Sequence, residues 1–166
     1  MTAPVEAPLP GPRVLPAYAA LGRYAAAAGA LDPRLRSLVR QLAAELSGCR
    51  WCIEHGRHLW RQAFLPSEQL GALRRHAASP LFSARERAAL AFTEAVSRYG
   101  GAAGGIPEAV LAELRCHFTE PEVIALTLAV TGEHFFNPAT GALGGDAASV
   151  GRPMRRVAGS AIRNLW

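Results

Sequence analysis

Lysine is absent from this chain of 166 residues, so all 18 of its Lys and Arg residues are arginine. The net charge is +5, and the arginines are scattered over several predicted helices, where they form no stripe and no binding motif. Charge alone says little about partners, so we expect solvated helix faces or subunit contacts and no nucleic-acid partner. The abundance of Ala, Arg and Gly is typical of a GC-rich genome.

Long hydrophobic runs are also missing. No apolar run reaches the ~20 residues that a membrane span needs. Residues 1–8 contain neither the basic patch nor the apolar core of a secretory signal. We therefore expect no membrane association and a cytoplasmic location. Half of the residues are hydrophobic, so a chain of this length predicts one domain with a substantial core.

Signals for β-strands are lacking, because no period-two alternation lies between hairpin turns and no segment repeats at a fixed period. Helix signals follow one another instead. Helix starts are predicted at Asp32-Pro33, Cys49, residues 65–67, the capping box at Ser83, Pro107 and the capping box at Thr119. The sequence therefore predicts an all-α, compact helical bundle.

The domain organisation follows from composition. Residues 1–15 are Pro-rich and are expected to be a flexible segment, residues 16–140 form the helical domain, and residues 141–166 are a Gly- and Arg-rich tail. Short helices are expected at residues 17–28 and at about 153–163. Residues 123–136 are apolar on nearly all sides, which predicts burial within a core or between subunits, and Asn137-Pro138 is expected to end that helix.

Cysteine is scarce, with three residues in the chain, yet two of them lie three positions apart. Three residues are nearly one helical turn, so Cys49 and Cys52 face the same way and can form a disulfide reversibly. A helix N-terminus stabilises a thiolate, the reactive form of cysteine. Zinc is a rival hypothesis, with Cys49, Cys52, His55 and the Cys116-His117 pair as its ligands. A c-type haem is excluded because Ile53 follows the second cysteine.

The surroundings of the cysteine pair resemble a known family. The segment ELSGCRWCIEH at residues 45–55 is similar to the core of the AhpD-like alkylhydroperoxidases, within the carboxymuconolactone decarboxylase superfamily. SPLFSARERAALAFTEAV at residues 79–96, IPE at 106–108, FTEPEV at 118–123 and LTLA at 126–129 follow in the family's order. The resemblance covers roughly residues 21–137.

The resemblance implies a compact all-α fold and peroxide reduction by the cysteine pair, without a cofactor or metal. Cys52 would be the peroxidatic thiolate and Cys49 the resolving one, with a hydroperoxide as substrate and a dithiol or protein thiol as reductant. Members of the family commonly assemble as dimers, trimers or hexamers, so a homo-oligomer is expected. The alternative is a non-peroxidase member of the fold, acting as a binding module or a decarboxylase-like enzyme.

Two positions depart from the family's pattern. The resemblance implies a Glu twelve residues before the first cysteine and a His four residues after the second, where this chain has Ser37 and Gly56. Neither can act as a general base at neutral pH. His55 lies three residues after Cys52 and can act as a shifted base, as a polar surface or interface residue, or as a metal ligand. As an imidazolium it would lower the pKa of the neighbouring thiol.

His134 is the second candidate histidine, at a position where family members often carry Asn. It lies near the end of the apolar stretch at residues 123–136. From there it could approach the cysteine pair across the bundle or from another subunit. The alternative is a hydrogen-bonded core histidine, because buried polar groups are nearly always partnered.

Overall fold

The computed structural model describes residue 20 and residues 31–99 and 105–142, with side chains up to residue 135. The described residues form six α-helices, one short 3-10 helix and no strand. In chain order these are α1 (Pro33–Ser47), α2 (Arg50–Gln62), α3 (Ser67–Ala72), the 3-10 helix (Leu73–Arg75), α4 (Ala84–Arg98), α5 (Glu108–His117) and α6 (Glu120–Ala142). The predicted all-α bundle is confirmed. None of these helices has the combined length and hydropathy of a membrane span.

The predicted helix starts at Asp32 and Ser83 are confirmed by side-chain caps. The carboxylate of Asp32 accepts hydrogen bonds from the backbone N–H groups of Arg34 and Leu35 at 2.9 and 3.0 Å. Ser83 and Glu86 form a complete capping box at the start of α4. Each cap satisfies backbone donors that the first helical turn leaves open, and such a cap contributes roughly 1 kcal/mol.

Helix α1 lies in the middle of the bundle because apolar residues line two of its sides. Leu35, Val39 and Ala43 pack with side chains of α4, α5 and α6. Leu38 and Leu42 pack on the other side, with residues of α2, the 3-10 helix and α4. Burying each leucine contributes about 1.5–3 kcal/mol to the stability of the fold. These contacts hold α1 in place and thereby position the segment that follows it.

Helix α6 is buried on one side only. Its inward residues, Ala125, Leu126, Ala129 and Val130, lie in the core shared with α1 and α4. Ile124 and Phe135 are each 53% exposed. The expectation that this stretch is buried on all sides within the chain is therefore wrong, whereas burial between subunits stays a prediction.

The predicted end of α6 is wrong as well, because the helix continues through Asn137-Pro138 to Ala142. A proline removes one backbone hydrogen bond, but its fixed φ of about −65° is itself a helical value. The helix can therefore continue with one bond missing. The helices expected at residues 17–28 and 153–163, and the two terminal segments, lie outside the described residues, apart from Ala20, which is helical.

Candidate redox site

The cysteine pair lies at the junction between α1 and α2. Gly48 ends α1 in the left-handed region, with a φ of 69°, which glycine adopts without the steric penalty that a Cβ brings. Cys49 is the N-cap of α2, and its Sγ accepts a hydrogen bond from the backbone N–H of Cys52 at 3.3 Å. The prediction that a helix starts at Cys49 is confirmed.

Cys49 and Cys52 form a disulfide in the structure, with their Cα atoms 5.3 Å apart. The two sulfurs differ in environment. Cys52 is 1% exposed and packs with Ala44 and Trp51, whereas Cys49 is half-buried. In the reduced protein the N-terminus of α2 stabilises negative charge on the N-cap sulfur. The pair thus combines one accessible sulfur with one enclosed sulfur.

His55 lies on α2, three residues after Cys52, and stacks on the ring of Trp51 with centroids 4.6 Å apart. Burial, His58 and Arg40 together lower the pKa of His55 from 6.5 to about 4. At neutral pH the ring is therefore uncharged. The expectation that an imidazolium stabilises the thiolate is not supported by this pKa, whereas a neutral ring retains the capacity to accept a proton.

His134 reaches the chain segment that leads into the cysteine pair. Its Nδ1 lies 2.9 Å from the hydroxyl of Ser47, two residues before Cys49, and its Nε2 lies 2.8 Å from the hydroxyl of Ser97. It therefore joins α1, α4 and α6. Burial lowers its pKa. These contacts match the hydrogen-bonded core histidine, and they place the ring next to the segment that holds Cys49.

The two positions that depart from the family's pattern carry no base. The hydroxyl of Ser37 donates to the carbonyl of Pro33 at 2.9 Å, and Gly56 is buried without a side chain. Glu45 lies between two arginines, with its carboxylate 3.9 Å from Arg57 and 3.6 Å from Arg74. Its carboxylate therefore forms ion pairs that join α1 to α2 and to the 3-10 helix.

Sequence reasoning missed a buried ion pair behind the site. Nε of Arg40 on α1 donates to Oε2 of Glu133 on α6 at 3.2 Å, and the Glu133 side chain is fully buried. Burial raises the pKa of Glu133 from 4.5 to about 7, against the opposing influence of Arg40. The available signal was an isolated acid in the apolar stretch at residues 123–136. Arg40 gave no signal, because it resembles the other scattered arginines.

The zinc hypothesis gains no support from the geometry. Among the described residues, no three His, Cys, Asp or Glu side chains are placed to hold a metal ion. Cys116 is an exposed free cysteine on α5, and His117 pairs with Glu113 at 3.1 Å. Cys116 and His117 therefore do not form one metal site with Cys49 and Cys52.

Comparison with known proteins agrees with this architecture. A protein from Agrobacterium tumefaciens, described as of unknown function and as a candidate antioxidant defence protein AhpD, matches with a TM-score of 0.73 and 26% identity, over 80% of this chain and 88% of its own. The apo debrominase Bmp8 matches with a TM-score of 0.72 and 18% identity, over 93% of this chain and 78% of its own. A cysteine-to-alanine variant of Bmp8 in complex with 2,3,4-tribromopyrrole matches with a TM-score of 0.73 and 17% identity, over 94% of this chain and 78% of its own.

The Bmp8 likeness carries the fold alone, given the low identity. No protein with a curated description matches the chain. The sequence profile of the carboxymuconolactone decarboxylase family matches residues 12–95, which is half of the chain and includes α1, the cysteine pair and most of α4. The chain belongs to the carboxymuconolactone decarboxylase family.

Proposed function

We propose that the protein is a thiol-dependent peroxidase that reduces hydroperoxides through Cys49 and Cys52. The observation that carries the proposal is the pairing itself. Two cysteines at the N-terminus of α2 are close enough for a disulfide, one of them accessible, in a fold shared with a candidate AhpD. Thiol pairs of this kind react and recover without a bound cofactor. Such cycling suits a reducing, cytoplasmic compartment.

The reaction balances with the two thiols as the electron source. The Cys52 thiolate attacks one peroxide oxygen, the O–O bond breaks, and the alkoxide leaves with a proton as an alcohol. Cys52 is then a sulfenic acid. The Cys49 thiolate attacks the Cys52 sulfur, water leaves, and the disulfide forms. A dithiol or protein thiol supplies two electrons and two protons to restore the pair.

The family resemblance assigns these roles, whereas the N-terminus of α2 favours a thiolate on the N-cap residue Cys49. Cys52 is enclosed by Trp51 and Ala44, and His55 follows one helical turn later. His55 is our candidate for the group that takes the thiol proton of Cys52, although its pKa of about 4 makes it a weak base. Cys49 is more accessible than Cys52, so an external thiol reaches the disulfide most readily at Cys49.

We propose in addition that the protein functions as a homo-oligomer. Ile124 and Phe135 are half-exposed on α6, and Leu128 and Thr131 lie between them at helical spacing. These four residues form one stripe, here called the α6 stripe. An apolar stripe of this kind is suited to contact with a second copy of the chain.

One experiment tests the peroxidase proposal directly. Free thiols of the reduced protein are counted before and after one equivalent of an organic hydroperoxide, and disulfides are mapped by mass spectrometry. Rapid loss of two thiols with a Cys49–Cys52 bridge is the expected result. The matched control, Cys116→Ser, removes the exposed third thiol and should lose two thiols at the same rate.

One observation favours a second candidate function. Ser37 and Gly56 carry no base where the family resemblance implies a Glu and a His. If every thiol survives the hydroperoxide, the peroxidase proposal is wrong. The fold would then act as a binding module or a decarboxylase-like enzyme in which the disulfide is structural.

A further inference from the structure

Arg50 has a position that the stability of its helix does not explain. It is the first residue of α2, directly after the N-cap Cys49, and it is exposed. A positive charge in the first turn of a helix opposes the helix dipole and is destabilising, and the first turn of α2 holds no acid that would offset it. An arginine in this place is therefore a candidate for function.

The nearby carboxylates are occupied by other arginines. Glu54, about one helical turn after Arg50, accepts a hydrogen bond from Arg57 at 3.0 Å instead. Glu45 pairs with both Arg57 and Arg74. Among the residues that the structure describes, Arg50 forms no ion pair. Its charge is thus not neutralised by the acids around the cysteine pair.

This charge lies beside the accessible sulfur of the disulfide. Cys52 is 1% exposed, whereas Cys49 is half-buried, so an incoming thiolate attacks Sγ of Cys49. Consecutive Cα atoms are about 3.8 Å apart, so a molecule bound at Cys49 lies within reach of the Arg50 side chain. The open N–H groups at the N-terminus of α2 add partial positive charge at the same place.

The arrangement favours one anionic group over an extended acidic surface. Glu45, Glu54, Arg57 and Arg74 form a network of two acids and two arginines whose charges cancel. The next exposed arginine of α2, Arg61, lies about 16 Å farther along the helix axis. A single guanidinium remains at the disulfide, and its planar fork matches one carboxylate.

We propose that Arg50 binds the reductant of the disulfide, and that this reductant is a small thiol with a carboxylate a few bonds from its sulfur. The proposal rests on the proposed function in one respect, that an external thiol reduces the Cys49–Cys52 disulfide. The guanidinium of Arg50 pairs with the carboxylate and holds the thiol at Cys49.

The reduction balances with two reductant thiols as the electron source. The first thiolate attacks Sγ of Cys49, the S–S bond breaks, and Cys52 leaves as a thiolate that takes up a proton. A second thiolate, from the same or another reductant molecule, attacks the reductant sulfur of the mixed disulfide, and Cys49 leaves as a thiolate. The two reductant thiols are thereby oxidised to a disulfide. Arg50 transfers no proton in either step.

The test compares small thiols that differ only in the charge of one group: β-mercaptopropionate is anionic, β-mercaptoethanol uncharged and cysteamine cationic. Each is mixed with the disulfide form of the full-length protein, and the initial rate of disulfide loss is measured. Dividing by the rate of the same thiol with hydroxyethyl disulfide, an uncharged compound, removes differences in thiol reactivity. At low salt the corrected rate should be on the order of tenfold higher for β-mercaptopropionate than for cysteamine, and added salt should reduce this preference.

Substitutions of Arg50 separate its charge from any structural role. Arg50→Gln should reduce the preference to about threefold or less, and its helix should remain folded, because a charge that opposes the dipole is removed. Arg50→Lys keeps the charge and should retain most of the preference. Arg115→Gln is the matched control, since Arg115 is an exposed arginine on α5 and its loss changes the net charge equally. It should keep the wild-type preference.

Equal corrected rates for all the thiols, or the same preference in Arg50→Gln and the wild type, would overturn the proposal. An equal loss in Arg115→Gln would overturn it too, because the net charge of the protein would then explain the preference. A disulfide inert to every small thiol would overturn it in favour of a protein reductant. The disulfide can be formed with diamide, so a wild type that prefers the anionic thiol but fails to reduce hydroperoxides would refute the proposed function and leave this inference standing.

Discussion

Cys49 and Cys52 lie three residues apart, yet replacing each of them by serine is expected to stop the reaction at a different step. Cys52→Ser should abolish peroxide turnover with the helical content unchanged, because a buried hydroxyl replaces the attacking sulfur. Steady-state turnover and far-ultraviolet circular dichroism measure the two quantities. Turnover equal to that of the wild type would contradict the assignment of Cys52.

Cys49→Ser should allow one reaction per site and then stop, because the sulfenic acid on Cys52 has no resolving partner. Trapping with a sulfenic-acid reagent after one equivalent of hydroperoxide should label Cys52. Continued formation of an internal disulfide would instead identify Cys116, the exposed cysteine on α5, as the resolving residue.

Two ionisable groups, the buried Glu133 and the partly buried His55, act on stability in opposite directions as the pH changes. The fold raises the pKa of Glu133 from 4.5 to about 7, so its contribution is present below pH 4.5 and is lost as the pH rises through 7. This contribution is on the order of 3 kcal/mol. The fold lowers the pKa of His55 from 6.5 to about 4, so its contribution is present above pH 6.5 and is lost as the pH falls through 4.

Single variants should separate the two contributions between about pH 4.5 and about pH 6.5. Relative to the wild type, Glu133→Gln should gain stability as the pH rises, whereas His55→Phe, which keeps an aromatic ring against Trp51, should lose it. The measurement is urea unfolding at several pH values. Differences from the wild type that stay constant with pH would show that neither group has the pKa given above.

At the scale of helices, the C-terminus of α2 has a phenylalanine at a position where glycine is usual. Phe64 N–H bonds to the carbonyl of Arg61 at 3.1 Å and Leu65 N–H to that of Trp60 at 3.2 Å, which is a Schellman motif. The motif puts Phe64 in the left-handed region, with a φ of 52°, where glycine is favoured. The Phe64 ring is 94% exposed, so no burial compensates for this conformation.

Phe64→Gly should therefore stabilise the protein by about 0.5–1 kcal/mol, because it relieves the left-handed residue without loss of packing. Ala63→Gly is the control one residue earlier, at a φ of −82°, and should destabilise instead. Denaturant midpoints give both values. A destabilised Phe64→Gly would mean that the Phe64 ring makes contacts in solution.

The helices were predictable because their signals are local. Asp32, Ser83 and the Gly48–Cys49 junction fix starts and stops within a few residues of sequence, and the structure confirms them. The end of α6 was not predictable, because the effect of Pro138 depends on whether the helix can continue beyond it. Glu133 and Arg40 are 93 positions apart, so no local pattern could reveal their contact. The pKa of His55 likewise depends mainly on its burial in the folded bundle, with smaller influences from His58 on the same helix and Arg40 on α1.

At the scale of the whole molecule, the α6 stripe is the feature that a single copy of the chain leaves unexplained. Exposed apolar side chains are common singly, but Ile124, Leu128 and Phe135 follow one another along one face of a helix. The opposite face of α6 packs in the core, and Glu133 lies there. A partner on the stripe would thus bury the second side of the helix that carries Glu133.

We therefore expect Ile124→Glu to convert an oligomer into a monomer, because a charge would be buried in the contact between copies. Sedimentation velocity gives the mass of the assembly. Leu81→Glu is the matched control, since Leu81 is 44% exposed on another part of the surface, and it should leave the oligomer intact. A wild type that is already monomeric, or an Ile124→Glu variant of unchanged mass, would refute the interface. If the oligomer is lost while the thiol count after hydroperoxide is unchanged, each copy of the chain carries a complete redox site.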